Sequence, residues 1–101
     1  MKKYIKSSAE FLHLEQELKD ALFDYMKAHG FYEDEIDDFS GVEVYPEHES
    51  TIYKVYAELD YDEMSELLEV LNPVVQQYDP KAYFDLETPG RAVALVYDKD
   101  A

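Results

Sequence analysis

Three histidines and a crowd of carboxylates are the side chains of this sequence best suited to chemistry. His13, His29 and His48 could each ligate a metal, but a zinc site needs three or four ligands converging in space with a supporting second layer. Nothing in their spacing promises that convergence. The stretch "YEDEIDDFSG" has the charge density of a calcium loop, yet lacks the alternating ligand pattern and central glycine of an EF-hand. "DYDE" at 60–63 is better explained as a helix cap, and a glycosidase pair would need two carboxylates at a defined separation in a cleft. No glycine-rich phosphate loop, P-loop lysine or nucleophile elbow occurs, and Ser7 and Ser8 suit helix capping. The expectation is a protein that is not an enzyme, with no catalytic residue, cofactor or metal.

What the carboxylates do instead follows from their number. The chain has 101 residues, 24 acids against nine bases, a net charge of −15 and a pI near 4.3. A net charge of about 2–8 in magnitude already keeps a small domain soluble, and the excess costs stability through self-repulsion. Residues 31–63 contain twelve acids and one base, Lys54, and so carry eleven of the fifteen net charges. The first six residues, by contrast, hold Lys2, Lys3 and Lys6 and no acid. Such a balance disfavours direct binding to nucleic acid or to anionic membrane, both of which need basic patches.

The length suggests one domain, residues 1–101, with one modest core. Ten Tyr, five Phe and only three Gly and four Pro argue for a compact fold over disorder. Without cysteine, disulfides and thiolate metal sites are impossible, which fits a reducing cytoplasm. "MKKYIKSSAE" has the lysines of a signal peptide but no apolar segment behind them, and no apolar run approaches the roughly 18–20 residues of a membrane span. A cytoplasmic, soluble protein is expected.

Positioning the acids requires elements. Residues 8–29 place Phe11, Leu14, Leu18, Ala21, Leu22 and Tyr25 on one stripe of a helix, with Ser7 and Glu10 at capping-box spacing and Gly30 as its stop. "VEVYP" and "TIYKVYAELD" alternate as two strands around "PEHES", with Tyr53, Val55, Ala57 and Leu59 on one face. A second helix begins at Asp60 with Glu63 completing its cap; Met64, Leu67, Leu68 and Leu71 share a face that Val74, Val75 and Tyr78 continue. Pro73 predicts a helix restart with Asn72 as the new cap, a kink being the alternative. "AYFDLE" and "AVALVYD" close the fold as a hairpin around "TPGR", with Ala82, Phe84 and Leu86 facing the core and the register of Val93 and Leu95 open, so that Leu95 or Val96 could point inward.

The order predicts an α+β domain, helix-hairpin-helix-hairpin (αββαββ), an antiparallel sheet with both helices on one face. A leading strand at "KKYI" would make it a ferredoxin-like variant with one extra strand. Phe31, Tyr32, Ile36 and Phe39 come at steps that fit a short helical turn anchored on the core, turning the neighbouring acids outward.

On a strand, alternate residues of one face stand about 6.6 Å apart, so carboxylates there could form a row like a phosphate backbone. A cationic groove built for nucleic acid is a natural receptor for such a row. The candidate partner-binding set is Glu33, Asp34, Glu35, Asp37, Asp38, Glu43, Glu47 and Glu49, with Tyr45 as an anchor. The partner expected is a basic nucleic-acid-binding protein of the host. The opening "MKKYIKSS" and the short acidic, Tyr-rich body resemble small accessory proteins of phages and mobile elements of Gram-positive bacteria. Among these, anti-CRISPR and anti-restriction proteins often act as nucleic-acid mimics, so the resemblance implies an inhibitor of a CRISPR or restriction component. Barstar-like and DNase-immunity proteins are similar in size and acidity, with a different pattern of elements. A generic interaction, immunity or assembly module without mimicry is the alternative.

Overall fold

In the computed structural model, residues 5–6, 13–47, 50–78, 80, 82–88 and 91–95 are described, with 5–6, 45–47, 50–52 and 91–95 described by their backbone alone. The elements run β1 (Ile5–Lys6), α1 (Leu14–Ala28), α2 (Ile36–Phe39), β2 (Ser40–Glu47), β3 (Ser50–Ala57), α3 (Tyr61–Gln76), β4 (Tyr83–Thr88) and β5 (Arg91–Leu95). They build a small α+β domain around an antiparallel sheet in which β3 is central. One side of β3 is paired by β2 along its whole length, from Ser40 opposite Ala57 to Glu47 opposite Ser50. The other side is shared by β1, at Ile5–Thr51 and Lys6–Ser50, and by β5, which passes on to β4. Of the expected strand at 2–5, the described part is Ile5, which together with Lys6 makes up β1; residues 2–4 and the Ser7–Glu10 cap lie outside the described residues.

Helix α1 forms on its stripe: Leu14, Leu18, Leu22, Tyr25 and Met26 are buried. It ends in a Schellman motif, with the Gly30 N–H donating to Lys27 O and the Phe31 N–H to Met26 O at 3.2 Å each. Gly30 has φ +92°, a conformation that a Cβ would strain. Helix α3 opens with the expected box: Asp60 accepts from the Glu63 N–H at 2.8 Å, and Glu63 accepts from the Asp60 N–H at 3.3 Å. Met64, Leu67, Leu71 and Val75 then fill the core together with Tyr53, Val55, Ala57, Leu59, Ala82 and Phe84. Truncating any one of the fully buried leucines costs about 2–5 kcal/mol.

Three expectations are corrected. The helix does not restart at Pro73 but runs unbroken through it to Gln76. Pro73 and Glu69, whose carbonyl loses its intrahelical partner, are both exposed, so the defect faces water. Asn72 caps no helix; its side chain instead accepts the Phe84 N–H of β4 at 2.6 Å, covering part of an edge strand. In the last hairpin Val93 is in register with Asp85 and Lys54, and Ala92 and Ala94 with Leu86 and Phe84. Finally, Tyr32 is no anchor, being 72% exposed, while Phe31 and Phe39 pack together with ring centroids 5.8 Å apart.

Candidate functional site

The acid run begins directly after α1. Its five carboxylates, Glu33, Asp34, Glu35, Asp37 and Asp38, are all exposed, because Ile36 is buried at 2% and pins the turn to the core. Ser40, itself buried, donates its hydroxyl to Ile36 O at 2.9 Å and fixes the exit into β2. The turn is therefore held by its apolar residues, and its acids have no other direction than outward. Glu33 alone among them is compensated, by the Lys27 ammonium at 2.5 Å. That contact holds the Glu33 carboxyl below its ordinary range and the Lys27 amine above its own.

A second acidic segment joins the first. The Glu58 N–H donates to Phe39 O at 2.8 Å, carrying the β2–β3 ladder one step beyond Ser40–Ala57. This sets Glu58 beside the end of the α2 turn, with Asp60, Asp62 and Glu63 following it into α3. The end of α1 closes the arrangement. Tyr25 donates its hydroxyl to Glu63 O at 3.0 Å, and His29 lies with Nε2 3.3 Å from Glu66 and Nδ1 2.8 Å from Tyr25 O. The two rings stack at 4.0 Å. Burial, followed by the charges of Glu66 and Glu63, pushes the Tyr25 hydroxyl up to about 12. Segments 33–38 and 58–66 thus place ten carboxylates at one end of the domain, with Lys27 the one lysine or arginine within residues 24–38 and 58–69. Tyr32 and Tyr61, 72% and 61% exposed, stand among them.

The remaining candidate residues are carried away from this pole. Strand β2 leaves it at Ser40 and reaches Glu47 after seven steps, roughly 23 Å further on at about 3.3 Å per residue. That is two to three screening lengths at physiological salt, so charges at the two ends act separately. Glu43 sits part-way along, opposite Lys54. Tyr45 lies in β2 opposite Ile52, and Glu47 opposite Ser50, whose other neighbour is Lys6 of β1. Glu49 and His48 lie outside the described residues. Along β2 every second position from 41 reads Gly41, Glu43, Tyr45, Glu47, so Tyr45 stands between the two carboxylates of that row. The carboxylates follow more closely in sequence on the turn and on the β3–α3 connection.

Sequence reasoning placed Glu58, Asp60, Asp62 and Glu63 within the acidic third but left them, and Glu66, out of the contact set. The signal was present, since a hairpin returns its second strand to where the first began. Among the described residues, no group of three or more histidines or carboxylates could hold a metal ion, and no helix is long and apolar enough to cross a membrane. No family model matches the sequence, and no match was found among curated proteins or solved structures.

Proposed function

We propose that the acidic pole binds a basic protein surface and, by occupying a groove built for nucleic acid, keeps nucleic acid out of it. The observation that carries this reading is the Glu58–Phe39 bond, which joins two segments of five carboxylates each; Lys27 pairs with Glu33, and Lys19 lines a cavity with Asp37. Their mutual repulsion is a standing cost that solubility does not require. The exposed rings of Tyr32 and Tyr61 give the surface the aromatic content of a protein interface, which a merely solvated face lacks. The scaffold we assign is the αββαββ arrangement with both helices on one face. Glu33, Asp34, Glu35, Asp37 and Asp38 are the primary contacts. Glu43, Tyr45, Glu47 and Glu49 extend them along β2 to a partner that reaches the far end.

The resemblance to anti-CRISPR and anti-restriction proteins narrows the partner to a bacterial defence effector, with steric and electrostatic occlusion as the mechanism. The second reading, an interaction or assembly module without mimicry, draws on the same two tyrosines. One experiment separates them. Bacterial lysate is adsorbed to immobilised DNA and washed with this protein at constant ionic strength. Mimicry predicts release of a DNA-binding protein that then co-purifies with the acidic chain. Capture of a partner with no release from DNA favours the second reading, and neither release nor capture removes both.

A further inference from the structure

Beside the acidic pole, a cavity of about 230 Å³ opens between α1, α2 and the start of β2. This is smaller than the roughly 300–1,000 Å³ of sites for drug-sized ligands, and suits a single side chain. Its apolar lining comes from Leu22 and Ile36, both 2% exposed, with the half-buried Phe23 and Val42. Asp20 and Asp37 contribute carboxylates. Asp20 accepts a hydrogen bond from Gln16 Nε2 at 2.9 Å and keeps its second oxygen for another donor. The remaining polar lining is already engaged: the Ser40 hydroxyl on Ile36 O, and the Lys19 ammonium 3.3 Å from Glu15, one turn back on α1.

We propose that this cavity receives the side chain of an arginine presented by the basic partner, an inference that rests on the acidic-pole reading and locates its anchor. An arginine combines what the lining asks for. Its methylene stem suits Leu22, Ile36 and Val42, and its guanidinium is weakly hydrated, stacks on an aromatic ring such as Phe23, and pairs with carboxylates through a fork of donors. A lysine ammonium is more strongly hydrated and presents no planar face to the ring. A neutral side chain would gain no ion pair with Asp20 or Asp37.

The test needs no partner. N-acetyl-arginine N-methylamide, its lysine analogue and its citrulline analogue, the uncharged isostere of arginine, are titrated into the isotopically labelled full chain and followed by amide NMR. The arginine probe should shift Leu22, Phe23, Ile36 and Val42 together, and about tenfold more tightly than the citrulline probe, the order expected of hydrogen bonds between charged groups. Asp37→Asn should remove most of that preference. Phe23→Leu, which keeps an apolar wall should the first variant misfold, should narrow the gap between the arginine and lysine probes. Equal response to citrulline, or shifts spread over residues 33–38 and 58–66 without those four, would overturn the proposal. Failure here with release from DNA intact removes the pocket and leaves the pole. A chain that binds the arginine probe but releases nothing from DNA keeps the pocket and loses the pole.

Discussion

The Glu58 N–H and the Phe39 carbonyl meet at 2.8 Å, and through that bond two acidic segments nineteen positions apart in sequence become one surface. The bond is a step of backbone ladder and depends on neither carboxylate. The scaffold therefore holds the charges together against their repulsion, and most of the acids can be changed without dissolving it.

The cap of α3 is an exception among those acids. Asp60→Ala loses the acceptor for the Glu63 N–H and should lower stability by about 1 kcal/mol, read as a drop in unfolding temperature. Asp62→Asn, one turn position away with no such bond, should change it by less than about 0.5 kcal/mol. Equal effects would mean that charge, not capping, governs this segment.

On the sheet face away from the helices, the Tyr56 ring occupies the space over Gly41. A Cβ on Gly41 would come within 2.4 Å of the Tyr56 hydroxyl oxygen and 2.6 Å of its ring. Gly41→Ala should destabilise by about 1–3 kcal/mol through overpacking, and the penalty should largely vanish in a Tyr56→Ala background. Additive losses in the double variant would contradict the contact.

Asn72→Leu leaves the Phe84 N–H without its acceptor. An unsatisfied buried donor costs about 1–3 kcal/mol, and hydrogen exchange at the Phe84 amide should speed up more than at Asp85, which faces β5. Unchanged exchange at Phe84 would show that the edge is protected some other way.

Three tyrosines should titrate late, among them Tyr53, whose hydroxyl is pushed up by burial. Tyr25 is raised to about 12 by burial and the neighbouring carboxylates, and Tyr78 to about 12 chiefly by its 2.7 Å hydrogen bond to Glu17. Both folded values lie above the ordinary value of 10, so the stability they contribute is complete below pH 10 and is lost as the pH rises through 12. Ultraviolet titration should show Tyr25, Tyr53 and Tyr78 ionising after the exposed ones, and Glu17→Gln should bring Tyr78 forward. A single transition near 10 for all ten tyrosines would refute these environments.

Much of this fold can be read from residue patterns. The α1 stripe, the Gly30 stop, the Asp60–Glu63 box and the alternation of Tyr53, Val55 and Ala57 each follow from a local rule whose partner lies within a few residues. Pro73 misled because the rule concerns the lost donor, and water on the exposed side of α3 tolerates that loss. The face of the last strand stayed open because alternation leaves a strand's phase undecided until a register, here Asp85 opposite Val93, is known. The candidate site was half legible. Its turn was visible in the phase of Ile36 and Phe39. The separation of Glu47 from Asp38 was not, because adjacency in sequence hides the distance that eight extended residues cover. The Asp20–Asp37 cavity joins residues with no common pattern, and only the packing of α1 against α2 and the start of β2 brings them together.

The central claim, that the pole makes the primary contact and the far end of the hairpin only an auxiliary one, is tested most directly by two sets of charge reversals compared in the DNA-release experiment. Asp34→Lys, Glu35→Lys and Asp38→Lys together alter the pole while sparing Glu33, Asp37 and the α3 cap. Glu47→Lys and Glu49→Lys alter the far end of the hairpin. With folding confirmed by thermal unfolding, the pole set should abolish release, and the tip set should leave it within about twofold, since the two ends lie beyond each other's screened field. Release that survives reversal of the pole, or that is lost equally on reversal of the tip, would contradict the account.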